Sequence, residues 1–275
     1  MRALILGAVC VLLLLGCEEK VIGCLDFRAL QVDISADEEC DDCCVFPELD
    51  LQILYASLGD TAVQLLGARP SIAIGQDTFG VLGVGFYLSE LALERSDGSL
   101  YALEDTLSYV LNDEADLLRR DISLVRIAPT SNSSVAYGSL LEEQTVVALR
   151  ASVGVPTALE SLQPLRQYRN SPLAPRSDSL LARVSDNVIE ASTWRYRLNG
   201  DTLRRRVLAS GTSSVPVRIA LPEAVVLPTS FNLKLTIGIP LEDLMLLEPG
   251  EVAMEEFVIA VFDQATVLAV EVSRR

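Results

Sequence analysis

Apolar and polar residues alternate with a period of two over much of this chain. The segment FNLKLTIGIP, residues 231–240, places apolar side chains at every second position with polar ones between them. Residues 49–54 follow the same pattern, in which Asp50 separates Leu49 from Leu51. Because successive side chains of a strand point to opposite faces of its sheet, this alternation predicts strands with one buried face.

Turn signals separate the predicted strands. Residues 79–105 contain two apolar runs joined by Ser96-Asp97-Gly98, and residues 194–201 run into Asn199-Gly200. Asp-Gly and Asn-Gly between apolar runs are strong signals of a β-hairpin. A further strand is predicted over residues 145–156. Residues 255–263 fit a buried strand or a helix segment, and their short length and β-branched residues favour the strand.

Short strands separated by polar turns indicate an all-β fold, and we predict an antiparallel β-sandwich over residues 49–275. Gly80, Gly83 and Gly85 lie along one strand pattern, which predicts a bend or bulge rather than a phosphate-binding loop. Three prolines within residues 164–179 predict a long surface loop near 160–190. Long ordered loops commonly carry function, so this loop is a candidate for partner binding.

The N-terminus has the organisation of an export signal. Arg2 precedes an apolar segment, residues 3–15, that is shorter than the roughly 20 residues needed to span a bilayer. The segment ends in Leu-Leu-Gly-Cys17, which resembles the bacterial lipobox. This resemblance implies that residues 1–16 are removed as a signal peptide and that Cys17 is acylated, with chains such as palmitate. The alternative is an ordinary secretory signal in which the cysteine is incidental.

A lipid on Cys17 predicts a location at the cell envelope. We expect an outer-membrane lipoprotein, periplasmic or surface-exposed, whose anchor makes the membrane a partner. The formal net charge of −16 argues against nucleic acid as a partner.

The 275 residues include no histidine. This composition excludes a Ser-His-Asp triad, a Cys-His pair, a histidine metal ligand and a histidine pH switch. No other nucleophile and base stand out in the sequence, so no catalytic residue is predicted and the protein is not expected to be an enzyme.

Four cysteines remain once residues 1–16 and the anchor are set aside: Cys24, Cys40, Cys43 and Cys44. In an exported chain they predict two disulfides that tie residues 17–48, an acidic linker segment. A bond between adjacent Cys43 and Cys44 is strained. Two pairings stay open, Cys24–Cys43 with Cys40–Cys44 and Cys24–Cys44 with Cys40–Cys43.

A four-thiolate zinc site and a redox-active CxxC pair are weaker alternatives for these cysteines. The redox-active pair is weaker because neighbouring carboxylates disfavour the thiolate form.

Acidic residues surround these cysteines. Carboxylate oxygens near a cross-linked turn suit Ca²⁺. The candidate calcium ligands are Asp26, Asp33, Asp37, Asp41 and Asp42. No EF-hand pattern is present, and the alternative is a solvated acidic loop.

Two segments resemble the MbnP-like family of bacterial exported proteins and lipoproteins. The first, residues 23–49, matches the family's Gly-Cys-x-Asp opening, acidic stretch, Cys-Cys pair and proline. Its matching positions are Gly23, Cys24, Asp26, Ala29, Ala36, Cys40, Asp42, Cys43, Cys44 and Pro47. The second matches a Tyr-x-x-Ser-like strand and the Asp-Gly hairpin after it. Its matching positions are Tyr87, Leu88, Ser89, Leu91, Leu93, Asp97 and Gly98.

The resemblance implies a fold more than an activity. Some members bind copper through histidines and a tryptophan-derived group, with a haem enzyme as partner. This chain has no histidine, and the residues after Pro172-Leu173 contain no tryptophan. Met245 and Met254 are the soft ligands that remain, so a family-type copper site is not supported.

Together these observations predict a membrane-anchored, non-catalytic binding module for an envelope protein or a small ligand. The alternative is a periplasmic or surface copper-binding protein of the MbnP type. No cofactor is firmly predicted; Ca²⁺ and copper are the open candidates.

Overall fold

The structure is a computed structural model of the chain. It describes residues 20–40, 42–58, 63–65, 71–74, 76–103, 105–110, 117–122, 124–127, 134–154, 189–209, 214–240, 242, 251–252, 254–263 and 265–274. The chain forms two compact units, Met1–Phe46 and Pro47–Arg275. Among the described residues, no helix has the length and apolar character needed to cross a membrane.

Nearly all regular structure in the described residues is strand. The strands are β1 (Ile22–Gly23), β2 (Glu38–Glu39), β3 (Leu49–Leu58), β4 (Val63–Leu65), β5 (Ser71–Ile74), β6 (Asp77–Arg95), β7 (Leu100–Ala102), β8 (Asp105–Val110), β9 (Leu117–Ile122), β10 (Leu124–Ile127), β11 (Ser134–Tyr137), β12 (Gln144–Val153), β13 (Ile189–Leu198), β14 (Asp201–Ala209), β15 (Val215–Leu227), β16 (Asn232–Pro240), β17 (Glu251–Val252) and β18 (Thr266–Ser273). One helix, α1 (Met254–Phe262), lies between β17 and β18.

Strand β6 organises the larger sheet. β12 pairs antiparallel with its C-terminal half, and β13 pairs antiparallel with its N-terminal half. The strand order is β15-β12-β6-β13-β14-β17, and β5, β7 and β10 also pair with β6. The register of β13 shifts opposite Val81 and Gly83, which confirms the bulge predicted from the glycine spacing. Strands β8 and β9 form a separate antiparallel pair.

The smaller sheet has the order β11-β3-β16-β18, and β4 pairs with β3. β11 and β18 pair antiparallel with their neighbours, but β3 and β16 are parallel from Leu49 opposite Leu233 to Ala56 opposite Pro240. A parallel pair requires a crossover connection. Here the crossover consists of most strands of the larger sheet, which lie between β3 and β16 in sequence. After them the chain re-enters the smaller sheet, and β16 runs in the same direction as β3.

The inward side chains of both sheets form one apolar core. Along the first halves of β3 and β16 they alternate with outward polar residues, as the period of two predicts, whereas β6 and β12 also have consecutive buried positions. The core includes Leu49, Leu51, Ile53 and Tyr55 of β3, Leu233, Leu235, Ile237 and Ile239 of β16, Phe86, Leu88, Leu91 and Leu93 of β6, and Val146, Leu149, Ala151 and Val153 of β12. The predicted all-β class is therefore confirmed, with a sandwich arrangement.

The strand favoured over residues 255–263 is wrong, and the helix alternative is correct, because this segment forms helix α1. Its buried side chains are Val258, Val261 and Phe262, at the i, i+3, i+4 spacing of one helix face. Phe262 meets Phe86 edge to face, with ring centroids 5.6 Å apart. A short apolar run does not distinguish a buried strand from a buried helix segment.

The two predicted hairpin turns are confirmed. Asn199 and Gly200 both have positive φ, 50° and 97°, as a two-residue turn that matches strand twist requires. In the other turn Gly98 has φ 83°, and its N–H donates to the carbonyl of Arg95 over 2.9 Å. A side chain at Gly98 would meet no atom within 4 Å, so its positive φ is the reason for glycine there.

Two disulfides tie residues 24–44, here called the disulfide segment. Cys24 is bonded to Cys44 and Cys40 to Cys43, with Cα atoms 5.0 and 5.7 Å apart. This is one of the two pairings that the spacing left open. The short parallel pair β1–β2 and a hydrogen bond from Cys40 N to the Gly23 carbonyl, 3.1 Å long, hold the segment's ends together.

Candidate functional site

A polar groove lies on the outer face of the smaller sheet. The register places Ala136, Asp50, Lys234 and Glu271 in one row across β11, β3, β16 and β18. Each is flanked along its own strand by side chains packed in the core, so the row faces outward. The strand pairing therefore brings together residues that are far apart in the sequence.

The groove has a volume of about 250 Å³. Its lining residues are Glu48, Asp50, Ala136, Asn232, Lys234, Glu271 and Ser273. Three of these carry carboxylates and one carries an ammonium group. The Lys234 Nζ lies 3.4 Å from Glu271 Oε1, so the one cation is shared with a carboxylate at the groove's rim. The lining as a whole is acidic.

Backbone contacts fix one end of the groove. The side-chain Oδ1 of Asn232 accepts a hydrogen bond of 2.9 Å from the Glu48 backbone N–H. The Leu233 N–H donates to the Glu48 carbonyl over 3.2 Å. The loop before β3 is thus held against the start of β16, which keeps Glu48 beside the row.

Asp50 has an oxygen that the fold leaves unsatisfied. Its Oδ1 is removed from solvent and has no hydrogen-bond partner in the protein. An unpaired buried acceptor costs about 1–3 kcal/mol, because the water it loses on folding is not replaced. Asp50 also lines the groove, so a donor bound there recovers that free energy when the side chain turns Oδ1 toward it.

These groups suit the binding of a hydrogen-bond donor with positive charge. Carboxylates accept charge-assisted hydrogen bonds from ammonium and guanidinium groups, which are stronger than neutral ones. The Asn232 amide and the Ser273 hydroxyl add neutral polar groups at the same lining.

A second charged cluster lies on the larger sheet. Glu94 of β6 accepts hydrogen bonds from Arg218 of β15, at 2.9 Å from both Nε and Nη2, and from Arg150 Nε of β12 at 2.5 Å. These donors, Arg218 foremost and then Arg150, lower the pKa of Glu94 to about 2. The carboxylate is already satisfied by protein donors, so this cluster links three strands and leaves little for a ligand.

Three of the predicted calcium ligands act in local structure. Asp26 accepts from the Arg28 backbone and guanidinium, and Asp33 accepts from the Ser35 backbone and hydroxyl. These hydrogen bonds lower the pKa of both carboxyls. Asp37 Oδ2 accepts from the Val21 N–H over 3.1 Å.

The described acidic residues do not form a group of three whose oxygens lie within 4.8 Å of one another. Asp42 is exposed, and Asp41 lies outside the described residues. A calcium site in this segment therefore stays a prediction without a preformed ligand set.

Among the described residues, three cysteines form a cluster of potential metal ligands. The Sγ atoms of Cys40, Cys43 and Cys44 lie within 4.8 Å of one another. All three belong to disulfides, and disulfide sulfur is not the thiolate that zinc or copper binds. The predicted lipid site Cys17, residues 160–188 of the predicted loop and Met245 lie outside the described residues, and the loop's last two residues begin β13.

The sequence did not predict the groove. Asp50 was visible as a polar position between Leu49 and Leu51, and Lys234 as one between Leu233 and Leu235. Such positions are ordinarily solvated strand residues. Only the parallel pairing of β3 with β16 makes the two residues neighbours.

No protein-family model matches the sequence, and no curated protein matches it. Among solved structures, MbnP from Methylosinus trichosporium is similar at 13% sequence identity, over 69% of this chain and 75% of that one, with a TM-score of 0.33. A likeness at this TM-score carries no argument about fold or function. The MbnP-like resemblance of the two sequence segments stays a resemblance.

Proposed function

We propose that this chain is a non-catalytic binding module of the bacterial cell envelope. A lipid on Cys17 holds it to a membrane, and the polar groove binds a positively charged group of its ligand. The anchor rests on the lipobox-like sequence, and the groove rests on the geometry of the smaller sheet.

The observation that carries the ligand site is the unsatisfied Oδ1 of Asp50 at an acidic groove. Proteins rarely leave a buried polar atom without a partner, and an exception needs an explanation. A ligand that donates a hydrogen bond supplies one. The excess of carboxylates over Lys234 makes a cationic donor the best fit.

The size of the groove limits what enters it. Pockets for drug-sized molecules occupy about 300–1,000 Å³. The groove's 250 Å³ falls below that range. It suits the head group of one side chain or a small amine or guanidine, so a larger partner would place a single basic group here.

The test compares butylguanidinium with butylurea, which have similar shapes and differ in charge. Each is titrated into the mature chain at low salt, and binding is followed by NMR chemical shifts. We expect butylguanidinium to bind and butylurea not to bind. Binding should weaken by about tenfold, equivalent to about 1.4 kcal/mol, in Asp50→Asn. The control is Glu223→Gln, which removes the same charge at an exposed site on β15. Equal binding of the two probes, or an unchanged affinity in Asp50→Asn, would remove the groove from the proposal.

The anchor has its own test. The intact mass of protein extracted from membranes should show the loss of residues 1–16 and the addition of acyl chains at Cys17. The Cys17→Ser variant, which lacks the acylated cysteine, should no longer be found in the membrane fraction. A mass that includes the leader, or unchanged membrane association in Cys17→Ser, contradicts the anchor and leaves the groove untouched.

Copper binding of the MbnP type is the alternative function, and calcium is a second cation to examine. Metal analysis of the purified mature chain separates both from our proposal. Stoichiometric copper would replace the proposed function, and a melting temperature that rises with Ca²⁺ would assign a cation role to the acidic residues around the disulfides.

A further inference from the structure

The two disulfides of the disulfide segment lie close to each other. Cys44 belongs to the Cys24–Cys44 bond, yet its Sγ lies within 4.8 Å of both sulfurs of the Cys40–Cys43 bond. The two bonds differ in access, because Cys43 is exposed while Cys24 is 4% exposed. An external thiol therefore reaches the Cys40–Cys43 bond first.

We propose that the disulfide segment is a thiol–disulfide exchange site that accepts a cationic thiol at Cys43. The attacking thiol interconverts the two disulfide pairings, Cys24–Cys44 with Cys40–Cys43 and Cys24–Cys43 with Cys40–Cys44. The proposal does not depend on the groove or on the lipid anchor.

The exchange balances without an oxidant or a reductant. A thiolate attacks Cys43 Sγ, the Cys40–Cys43 bond breaks, and a mixed disulfide forms at Cys43 while the electron pair leaves on Cys40. The ammonium group of a cationic thiol, held nearby by the mixed disulfide, offsets the carboxylates that disfavour the thiolate form of Cys40. The Cys40 thiolate then attacks Cys44 Sγ, which breaks the Cys24–Cys44 bond and releases the Cys24 thiolate. Finally Cys24 attacks Cys43, and the original thiolate leaves. Protons are exchanged with solvent, and the thiol is recovered.

The backbone holds the reacting residues together during these steps. Cys40 N donates to the Gly23 carbonyl over 3.1 Å, next to Cys24, and Asp33 N donates to the Cys24 carbonyl over 2.8 Å. The Leu30 N–H donates to the Val45 carbonyl over 2.8 Å, next to Cys44. These bonds join main-chain atoms and not the sulfurs, so we expect them to persist when Cys43 replaces Cys44 as the partner of Cys24. The exchange therefore needs a local rearrangement and not the unfolding of the segment.

The charge around the bond selects the thiol. The described residues from 20 to 46 carry six acids and two bases, a net charge of −4. Both bases are paired, Lys20 with Glu38 and Arg28 with Asp26. Glu39 and Asp42 flank the Cys40–Cys43 bond in sequence and are exposed. A thiol with positive charge is attracted to this surface and an anionic thiol is repelled, within a Debye length of about 10 Å at 0.1 M salt.

The experiment uses the full mature chain with cysteamine as the cationic probe, 2-mercaptoethanol as the neutral one and glutathione as the anionic one. Samples are quenched with acid and N-ethylmaleimide at successive times. Cleavage before aspartate separates Cys40 from Cys43 and Cys44, and tandem mass spectrometry with fragmentation between Cys43 and Cys44 maps the bonds. Each rate is divided by the rate of the same thiol with a neutral model disulfide.

We expect a mixed disulfide at Cys43 before any labelling of Cys24, followed by the Cys24–Cys43 isomer. A first mixed disulfide at Cys40 would overturn Cys43 as the point of attack. At low salt, the normalised rate of cysteamine should be about tenfold higher than that of glutathione. At 1 M salt, the two normalised rates should become similar. Simultaneous labelling of Cys24 and Cys43, or no isomer after the bonds have exchanged, would overturn the pathway. Equal normalised rates at low salt would overturn the selection of a cationic thiol. The Cys40→Ser/Cys43→Ser double variant should lack the fast exchange, but the wild-type chain alone decides each outcome.

Discussion

Arg218 holds Glu94 through two parallel hydrogen bonds, from Nε to Oε2 and from Nη2 to Oε1, each 2.9 Å long. In the β12–β15 register, Arg218 also lies directly opposite Arg150. Two like charges in directly opposed positions are destabilising. Glu94 removes this repulsion because it accepts from both guanidinium groups. The carboxylate thus links the outer faces of β6, β12 and β15.

The pKa of Glu94 gives this link a defined pH dependence. Its folded pKa of about 2 lies below the ordinary value of 4.5, so the charged form is favoured by folding. The stabilisation is fully present above pH 4.5 and is lost as the pH falls through about 2. We expect Glu94→Gln to lower the midpoint of urea unfolding at pH 7, and the difference from wild type to shrink progressively below pH 4.5.

Glu142→Gln is the matched control for this measurement, since Glu142 is a more exposed carboxylate, 62% accessible, bound to one arginine, Arg95. Exposed single ion pairs contribute little to stability. An equal loss in both variants, or a Glu94→Gln deficit that persists at pH 2, would show that Glu94 acts through something other than its charge.

The sequence predicts local features of this fold better than its long-range pairings. Asn199-Gly200 specifies its turn because the required backbone conformation suits those two residues, and the alternation in β3 and β16 specifies which side chains are buried. The parallel pairing of these strands depends on the packing of the whole sandwich. For that reason the groove could not be predicted, and the Arg150–Glu94–Arg218 cluster likewise depends on the long-range pairing of β6, β12 and β15. Two disulfides could be predicted because their cysteines are close in sequence, but the choice between two pairings could not.

Asn199 combines backbone and side-chain roles that substitution can separate. Its φ is 50°, its Oδ1 accepts from Thr78 N at 2.9 Å, and its Nδ2 donates to Asp77 Oδ1 at 2.6 Å. Asn199→Ala loses both hydrogen bonds and strains the backbone, which should cost about 1–3 kcal/mol. Asn199→Gly keeps the conformation but loses the hydrogen bonds, so it should cost less. Chemical denaturation measures both, and an alanine variant no less stable than the glycine variant contradicts the role of φ.

Leu235 tests the central parallel pair. It is fully buried in β16, opposite Leu51 of β3. Leu235→Ala removes apolar contacts and leaves a cavity, so we expect a loss of about 2–5 kcal/mol in the free energy of unfolding. Val226→Ala, at a side chain 61% exposed on β15, should change it by less than about 0.5 kcal/mol. Similar losses in the two variants would mean that Leu235 is not in the core.

Asp50 should show opposite effects on stability and binding. Its buried Oδ1 has no partner, so the folded chain carries the cost of that oxygen whenever the groove holds no donor. Asp50→Thr removes the carboxylate and keeps a side chain that suits a strand. We expect the free energy of unfolding to rise by about 1 kcal/mol and the affinity for butylguanidinium to fall.

Glu223→Thr, at an exposed strand position, controls for the change in strand preference. If Asp50→Thr instead destabilises the chain relative to that control, then the carboxylate is satisfied within the fold and the physical reason for a ligand in the groove is lost. Stabilisation with unchanged binding would locate the cationic group elsewhere on the sheet.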